Sequence, residues 1–462
     1  MHRTTSDARG PASRAARALF ATCVALLALL STTLLPAAAA EPLSPSPAAA
    51  ATYGASWLAA KAAASTPLKG FDGTSDDWGL TLDAGLALAS SGVGGTAANS
   101  IWTAVVANRE AALVTGTDNP GRLGRAVMLA VALGKDPRNV GAAPGNDLVA
   151  RIGASRAVAG PDAGLYGSSD PTYDGVFRQS YALMALAAAG TVPDPTATEW
   201  LDRQQCADGS WMPYRSDLSV ACAFDAGLYV GPDSNSTSVA VEALVALDRS
   251  ASRVASALTW IDTNQNTDGG WGFYPGDPTD PNSTGLVVQA LAAAGKLAAA
   301  AFTDKSATPQ AALVGFQLTC AQPAADRGAL TYPGSANAAN SFATAQGVPA
   351  LAGRAFPLSA QTLTAGVPAV PCEVATTTTT TSSTTTTTTT STSTTTTSLA
   401  VTTTAAASDQ DAPAASVLGV QAESAPSGQL ADTGSSSIGT ALAGATLLLL
   451  GLGLSILSVR RR

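Results

Sequence analysis

Acidic side chains that precede apolar segments are the residues of this chain best suited to acid–base chemistry. Asp76 and Asp77 stand just before an alanine- and leucine-rich run, and Asp174 precedes another. A pair of carboxylates about 5 to 10 Å apart can hydrolyse glycosidic bonds, so Asp77 with Asp174 could form a catalytic pair. Acids on glycine-rich loops are also typical caps of helices, and both interpretations stay open.

The first 40 residues have the pattern of a signal peptide. Four arginines precede an apolar run over residues 18–35, which ends in Pro36 and four alanines. Cleavage after Ala40 would start the mature chain at Glu41. An uncleaved membrane anchor is the alternative.

The C-terminal end combines a short motif with an apolar span. Residues 438–459 are apolar over about the length of a bilayer, and the arginines at 460–462 are expected to stay on the cytoplasmic side. Immediately before this span stand Leu430, Ala431, Asp432, Thr433 and Gly434.

This order of pentapeptide, apolar span and basic tail resembles the cell-wall sorting signals of Gram-positive bacteria. The resemblance implies that a sortase cleaves between Thr433 and Gly434 and joins the threonine carboxyl to a peptidoglycan amine. Ala431 departs from the usual proline and matches a variant of high-GC Gram-positive bacteria. A permanent single-span membrane protein is the alternative.

The cysteines predict disulfides rather than metal binding. Four remain in the predicted mature chain, an even number in an oxidising compartment. Of the three possible pairings we favour Cys206 with Cys222 and Cys320 with Cys372, each stabilising the fold by about 2 to 4 kcal/mol. Because the only histidine, His2, is lost with the signal peptide, we predict no zinc site and no cofactor.

Charge and composition exclude one class of partner and mark a stalk. The net charge of −8 leaves no basic surface, which excludes nucleic acid as a partner. Residues 373–429 are rich in threonine and serine and have too little apolar surface to offset the entropy of ordering. We predict an extended stalk there.

Residues 41–372 contain an internal repeat. Residues 200–211 and 260–271 both read W-[LI]-D-x-x-Q-x-x-D-G-x-W, and weaker copies bring the number of predicted helix pairs to six. An Asn-Ser-Thr triplet follows each clear copy, at 235–237 and 282–284. We interpret its asparagine or serine as a helix N-cap.

The repeat resembles those of squalene and terpenoid cyclases and of protein prenyltransferases. The resemblance implies an all-α fold, an (α/α)6 toroid, with structural roles for Gln205, Gly209, Trp211, Gln265, Gly269 and Trp271. It does not extend to activity, because the chain lacks the D-x-D-D acid motif of the cyclases and the zinc-ligand histidine of the prenyltransferases. Cobalamin carriers have a similar helical domain, but no β-rich second domain follows this one.

A toroid would gather the N-terminal ends of its inner helices around one mouth, which favours polar or anionic ligands. The candidate ligand-binding residues there are Asp76, Asp77, Trp78, Tyr173, Asp174, Arg178, Gln179 and Tyr274, with Asp72, Asn235, Asn282 and Asn340 beside them. We expect a wall-anchored, non-catalytic protein that binds a small ligand or a surface partner. The alternatives are a tethered enzyme acting on a terpenoid or glycan, and an adhesive protein whose cavity is filled with side chains.

Overall fold

The computed structural model describes residues 45–141, 146–335 and 337–372. The predicted signal peptide, stalk, sorting motif, apolar span and basic tail lie outside these residues. No helix in the described ranges is long and apolar enough to cross a membrane. The chain divides into two compact units, and every element named below lies in the one that contains Leu43–Pro371, whereas Cys372 belongs to the other.

The described part of the chain is all-α, as predicted. Its helices are α1 (Pro47–Ala64), α2 (Trp78–Ser91), α3 (Gly95–Ala107), α4 (Arg109–Leu113), α5 (Pro120–Ala132), α6 (Leu148–Ala154), α7 (Gly175–Ala188), α8 (Pro195–Arg203), α9 (Ser234–Ala246), α10 (Ala251–Thr263), α11 (Pro281–Ala293), α12 (Ala300–Thr303), α13 (Pro309–Val314) and α14 (Ser341–Leu351). Two antiparallel hairpins interrupt them: β1 (Leu68–Lys69) with β2 (Asp76–Asp77), and β3 (Val114–Thr115) with β4 (Thr117–Asp118).

Six helices form the interior of this unit. Helices α2, α5, α7, α9, α11 and α14 pack each against the next, and α14 packs against α2. Residues on every face of α9 are buried, whereas α10 buries only Val254, Ala257, Trp260 and Ile261. A helix buried on all sides lies in the core, and one with a single buried stripe lies at the surface. One or two other helices, which we call outer helices, lie in sequence between each inner helix and the next.

Short polar side chains begin the inner helices. The side chains of Asp77, Asn119, Asp233, Asp280 and Asn340 accept backbone N–H groups in the first turns of α2, α5, α9, α11 and α14. These bonds satisfy amides that have no partner within the helix. The prediction that the Asn-Ser-Thr triplets supply the caps is therefore wrong.

The threonine of each triplet instead joins its helix to the preceding turn. Thr237 Oγ1 accepts from the backbone N–H of Trp211 at 2.9 Å, and Thr284 Oγ1 accepts from that of Trp271 at 3.0 Å. Thr81 and Thr344, at the same offset from Asp77 and Asn340, accept from the backbone of Leu68 and Leu330. Four inner helices are held to their turns by one repeated bond.

The glutamine of the repeat joins neighbouring units. Gln205 Nε2 donates to the backbone oxygens of Gly209 at 2.9 Å and Arg253 at 3.0 Å. Gln265 Nε2 does the same with Gly269 at 2.9 Å and Phe302 at 3.1 Å. Each amide therefore ties its own turn to the next outer helix segment along the chain.

A third glutamine makes the same connection across the length of the unit. Gln317 Nε2 donates to Gly328 O at 2.9 Å and to Ala50 O at 2.8 Å. Ala50 lies in α1, so the bond joins the last outer helices to the first. The indole of Trp57 adds a second link, donating to Ala325 O at 2.9 Å.

Candidate functional site

Three candidates, Asp76, Asp77 and Trp78, make contacts within the protein at the start of α2. Asp77 is buried and its Oδ1 accepts from the backbone N–H of Leu80 at 2.9 Å. Trp78 is buried in the main core. Asp76 is exposed and forms an ion pair with Lys69 across the first hairpin. These side chains begin a helix, fill the core and brace a turn.

The candidates at the start of α7 include a buried arginine. Arg178 is 1% exposed, and its Nη2 donates to Ser169 O at 2.8 Å. Its Nη1 lies 3.6 Å from Asp174 Oδ1, one helical turn earlier. Tyr173, by contrast, is exposed. The carboxylate of Asp174 thus pairs within its own helix terminus, as Asp77 caps its own helix.

The side-chain amide of Gln179 is hydrogen-bonded only to the protein backbone in the described residues. Its Nε2 donates to Gly164 O at 3.0 Å and to Ala197 O at 2.7 Å, while its Oε1 accepts from the backbone N–H of Tyr166 at 2.8 Å. This is the turn-to-next-helix connection that Gln205 makes, supplied here from an inner helix. Both N–H donors and the carbonyl oxygen of the amide are therefore used within the fold.

Polar side chains from different inner helices contact one another in the interior of the domain. Arg125 Nε donates to Asp83 at 2.6 Å, and its guanidinium lies 3.9 Å from the ring centroid of Tyr181. Asn282 Nδ2 donates to Gln346 Oε1 at 2.9 Å. All five residues belong to inner helices, and the space at these points holds protein side chains.

One acidic group is enclosed here. Glu242 in α9 is 1% exposed, and its Oε2 accepts from the backbone N–H of Phe356 at 3.0 Å. Burial raises the pKa of this carboxyl to about 8. The side chain is therefore largely protonated at neutral pH, and it anchors the segment that follows α14.

The loop between Trp211 and Asp233 is fastened at its base. A disulfide joins Cys206 to Cys222, with Cα atoms 5.7 Å apart. Arg215 donates through Nη2 to the backbone oxygens of Leu218 and Val220, both at 3.0 Å. The loop is thus tied at its base by one covalent bond and one guanidinium. This pairing is the one favoured from the sequence, and Cys320 and Cys372 are disulfide-bonded as well.

A tight hairpin forms the tip of this loop. The backbone N–H of Asp225 donates to Val230 O at 2.7 Å, and its Oδ1 accepts from Gly227 N at 2.7 Å and Leu228 N at 3.1 Å. An aspartate that accepts from amides two and three residues ahead stabilises a turn. The tip therefore has a defined conformation although it is exposed.

Three aromatic rings cluster at this tip. Phe224, Tyr229 and Tyr274 pack edge to face in all three pairs, with centroids 5.0 to 5.7 Å apart. The hydroxyl of Tyr274 donates to Tyr229 O at 2.7 Å, and burial raises its pKa, so it remains a donor. Tyr274 is the one predicted candidate that belongs to this cluster.

The same loop concentrates exposed apolar surface. We call residues 217–229 together with Tyr274 the aromatic loop. Of the ten large hydrophobic side chains that are exposed in the described residues, five lie on it: Leu218 (42%), Val220 (60%), Phe224 (49%), Leu228 (48%) and Tyr229 (50%). Contiguous exposed apolar surface marks interaction sites, whereas single exposed hydrophobic residues are ordinary.

The sequence carried a signal for this site that the repeat pattern concealed. After Trp271 the chain reaches the next capping residue through residues 272–279, but after Trp211 it needs residues 212–232. Long connections in compact domains are commonly functional. Phe224, Leu228 and Tyr229 lie in this insertion.

In the described residues no group of three histidine, cysteine or acidic side chains is placed to hold a metal ion. No protein-family model matches the chain, and no curated protein matches it.

Proposed function

We propose that this chain is an exported, wall-anchored binding protein that contacts a surface partner through the aromatic loop. The helical domain is the rigid carrier, and the stalk holds it away from the wall. The observation that carries the proposal is the concentration of exposed apolar side chains on a loop whose backbone is held by a disulfide, an arginine and an aspartate turn.

The toroid belongs to this proposal. Six inner helices in sequential contact, with α14 against α2, are the arrangement that an (α/α)6 toroid requires. The bond from Gln317 to Ala50 supports the same closure, because it repeats between the ends of the unit the connection that Gln205 and Gln265 make between neighbours.

Binding at the surface is favoured over a site between the inner helices. Of the predicted candidates, Asp77, Asp174, Arg178 and Gln179 are committed to contacts within the protein. The aromatic loop has apolar surface that no element of the described residues covers. A rigid body that offers such a patch suits adhesion or partner capture.

Site-specific photocrosslinking on intact cells tests this proposal. A benzophenone side chain is placed at Tyr229 of the full-length protein in its own host and, as control, at Val192, which is 82% exposed on a different surface segment. We expect a discrete adduct after irradiation from position 229 and none from position 192. Equal labelling from the two positions, or none from 229, would contradict partner binding by the loop.

Wall anchoring has its own test. We expect a cell-wall hydrolase, and not detergent alone, to release the protein. Thr433→Ala should abolish that dependence, because it removes the residue whose carboxyl would be joined to peptidoglycan. Release of both forms by detergent alone would identify a membrane-retained protein.

A further inference from the structure

We propose that the partner of the aromatic loop is a protein surface that combines apolar side chains with lysine or arginine. The inference rests on the function proposed above and adds the chemistry of the partner. A glycan is the principal competing occupant, and three features of the loop favour protein.

The first feature is the shape of the apolar surface. The rings of Phe224, Tyr229 and Tyr274 are inclined to one another by 78 to 82°. Such rings do not form one flat platform on which a sugar ring could stack. Leu218, Val220 and Leu228 add aliphatic groups to the same loop, and a mixture of aromatic and aliphatic side chains is typical of the centre of a protein interface.

The second feature is charge. Residues 216–229 contain Asp217 and Asp225 and no lysine or arginine. Hydrogen bonds from Ser219 lower the pKa of Asp217, which keeps it ionised. The nearest cation in sequence, Arg215, donates to backbone oxygens at the base of the loop and also attracts Asp217, so the two carboxylates exceed the one nearby cation by a single negative charge. An apolar patch edged by carboxylates is complementary to a partner with basic residues.

The third feature is preorganisation. The Cys206–Cys222 disulfide closes the base, and the side chain of Asp225 holds the turn at the tip. Binding therefore costs little loop entropy, and the apolar contacts can contribute directly to affinity. The loop has the properties of a fixed docking surface rather than a segment that folds on contact.

The test uses the mature protein isolated from its host, with two defined probes: a random-peptide phage library and a glycan array. We expect the library to yield peptides that contain both apolar and basic residues. Their affinity should fall at least about tenfold in the double variant Phe224→Ser, Tyr229→Ser. A matched control, Val158→Ser with Val192→Ser, removes apolar side chains that are 81% and 82% exposed elsewhere and should bind as the parent does.

A second pair of substitutions isolates the charge. Asp217→Asn with Asp225→Asn retains the side-chain oxygens that accept from Ser219 and Gly227 but removes two negative charges. We expect binding of the selected peptides to weaken about threefold or more at low salt, with the difference largely lost at high salt. Thermal unfolding of each variant confirms that the fold is intact.

The outcomes separate this inference from the proposed function. Selected peptides without basic residues, or unchanged binding by the asparagine variant, would overturn the inference about charge. Glycan binding that the serine variant abolishes would also overturn it, while leaving the proposed function in place. If the substitutions at Phe224 and Tyr229 change the binding of neither peptides nor glycans, both the inference and the proposed function are contradicted.

Discussion

The two clear repeats of this protein share a turn and differ in the connection that leads from it to the next inner helix. In both, a glutamine amide bonds to the turn glycine and to the next outer helix segment, and the tryptophan indole donates to a backbone oxygen ten residues earlier. In the second repeat a short connection leads to Asp280. In the first, a disulfide-bonded loop carrying exposed Phe224 and Tyr229 leads to Asp233.

This difference separates the residues that build the fold from those available for binding. The shared turn buries its polar groups in repeated bonds, and it leaves little for a ligand. The inserted loop is fixed at its base yet presents apolar side chains to solvent. Substitutions in the turn should therefore change stability in both repeats, whereas substitutions at the tip of the loop should change binding much more than global stability.

The largest effect is expected in the shared turn. Gly269 has φ +91°, and an added Cβ would lie 2.1 Å from Ala307 O in the neighbouring backbone. Because backbone cannot move aside as a flexible side chain can, Gly269→Ala should lower the free energy of unfolding by roughly 3 to 5 kcal/mol. Chemical denaturation measures it.

Gly276 supplies the matched control for that substitution. It also has positive φ, +87°, but nothing lies within 4 Å of its added Cβ. Gly276→Ala should therefore cost about 1 kcal/mol, from backbone strain alone. Equal losses at the two positions would show that the close approach in the turn is unimportant.

The second prediction concerns the pH dependence of stability. Glu242 in α9 and Gln289 in α11 each lie nine residues after the capping aspartate, so the substitution Glu242→Gln places in α9 the residue that α11 has at the equivalent position. The folded-state pKa of Glu242, about 8, lies above the ordinary glutamate value of 4.5. Its contribution to stability is therefore complete below about pH 4.5 and is lost as the pH rises through 8. Glu242→Gln should remove a decline in unfolding free energy on the order of 3 kcal/mol between pH 5 and pH 8.

Buried aspartates set the background for this experiment. Burial also raises the pKa of Asp233 to about 7 and that of Asp280 to about 6, so part of the decline should persist in the variant. Glu199→Gln, on the exposed face of α8, serves as control. An unchanged pH profile in Glu242→Gln would show that this carboxyl ionises normally in the folded protein.

The disulfide of the first repeat gives a smaller and local effect. The double substitution Cys206→Ser, Cys222→Ser reopens a connection of sequence separation 16, which should cost about 2 to 3 kcal/mol. Among amides that exchange by local opening, exchange should accelerate in residues 216–230 and stay unchanged in the turn of Gln265. Uniform acceleration across both repeats would show that the loop is not an independently fastened element.

Much of the framework was predictable from spacing. Gln205 and Gln265 stand at the same offset from a glycine and a tryptophan, and the structure gives both the same bonds. The all-α class was expected from the same repeat. Repeats are readable because one local solution to packing recurs with the same residue types.

The spacing of the repeat did not predict the Gln317 bond or the helix caps. The bond from Gln317 to Gly328 crosses an insertion between the two residues, so the spacing that marks the other copies is lost. The caps Asp233 and Asp280 lay beside a more conspicuous triplet, and only the hydrogen bonds distinguish them.

The exposed character of the aromatic loop was also hidden. Phe224 and Tyr229 are of residue types that are commonly buried, and their exposure depends on the tertiary placement of the loop. A sequence pattern reports which residues are apolar, but it does not report which apolar residues lack a covering element. Exposure and ring geometry, rather than a motif, therefore distinguish this loop.

The most direct test of binding by the aromatic loop is the affinity of the crosslinked partner for two variants of the protein. We predict that Phe224→Ser with Tyr229→Ser stays folded under the conditions of the assay, although it loses ring contacts of about 0.5 to 1.5 kcal/mol each, and loses at least about tenfold in affinity, while Val158→Ser with Val192→Ser keeps the affinity of the parent. Equal affinity of the two variants would contradict the assignment of binding to the aromatic loop.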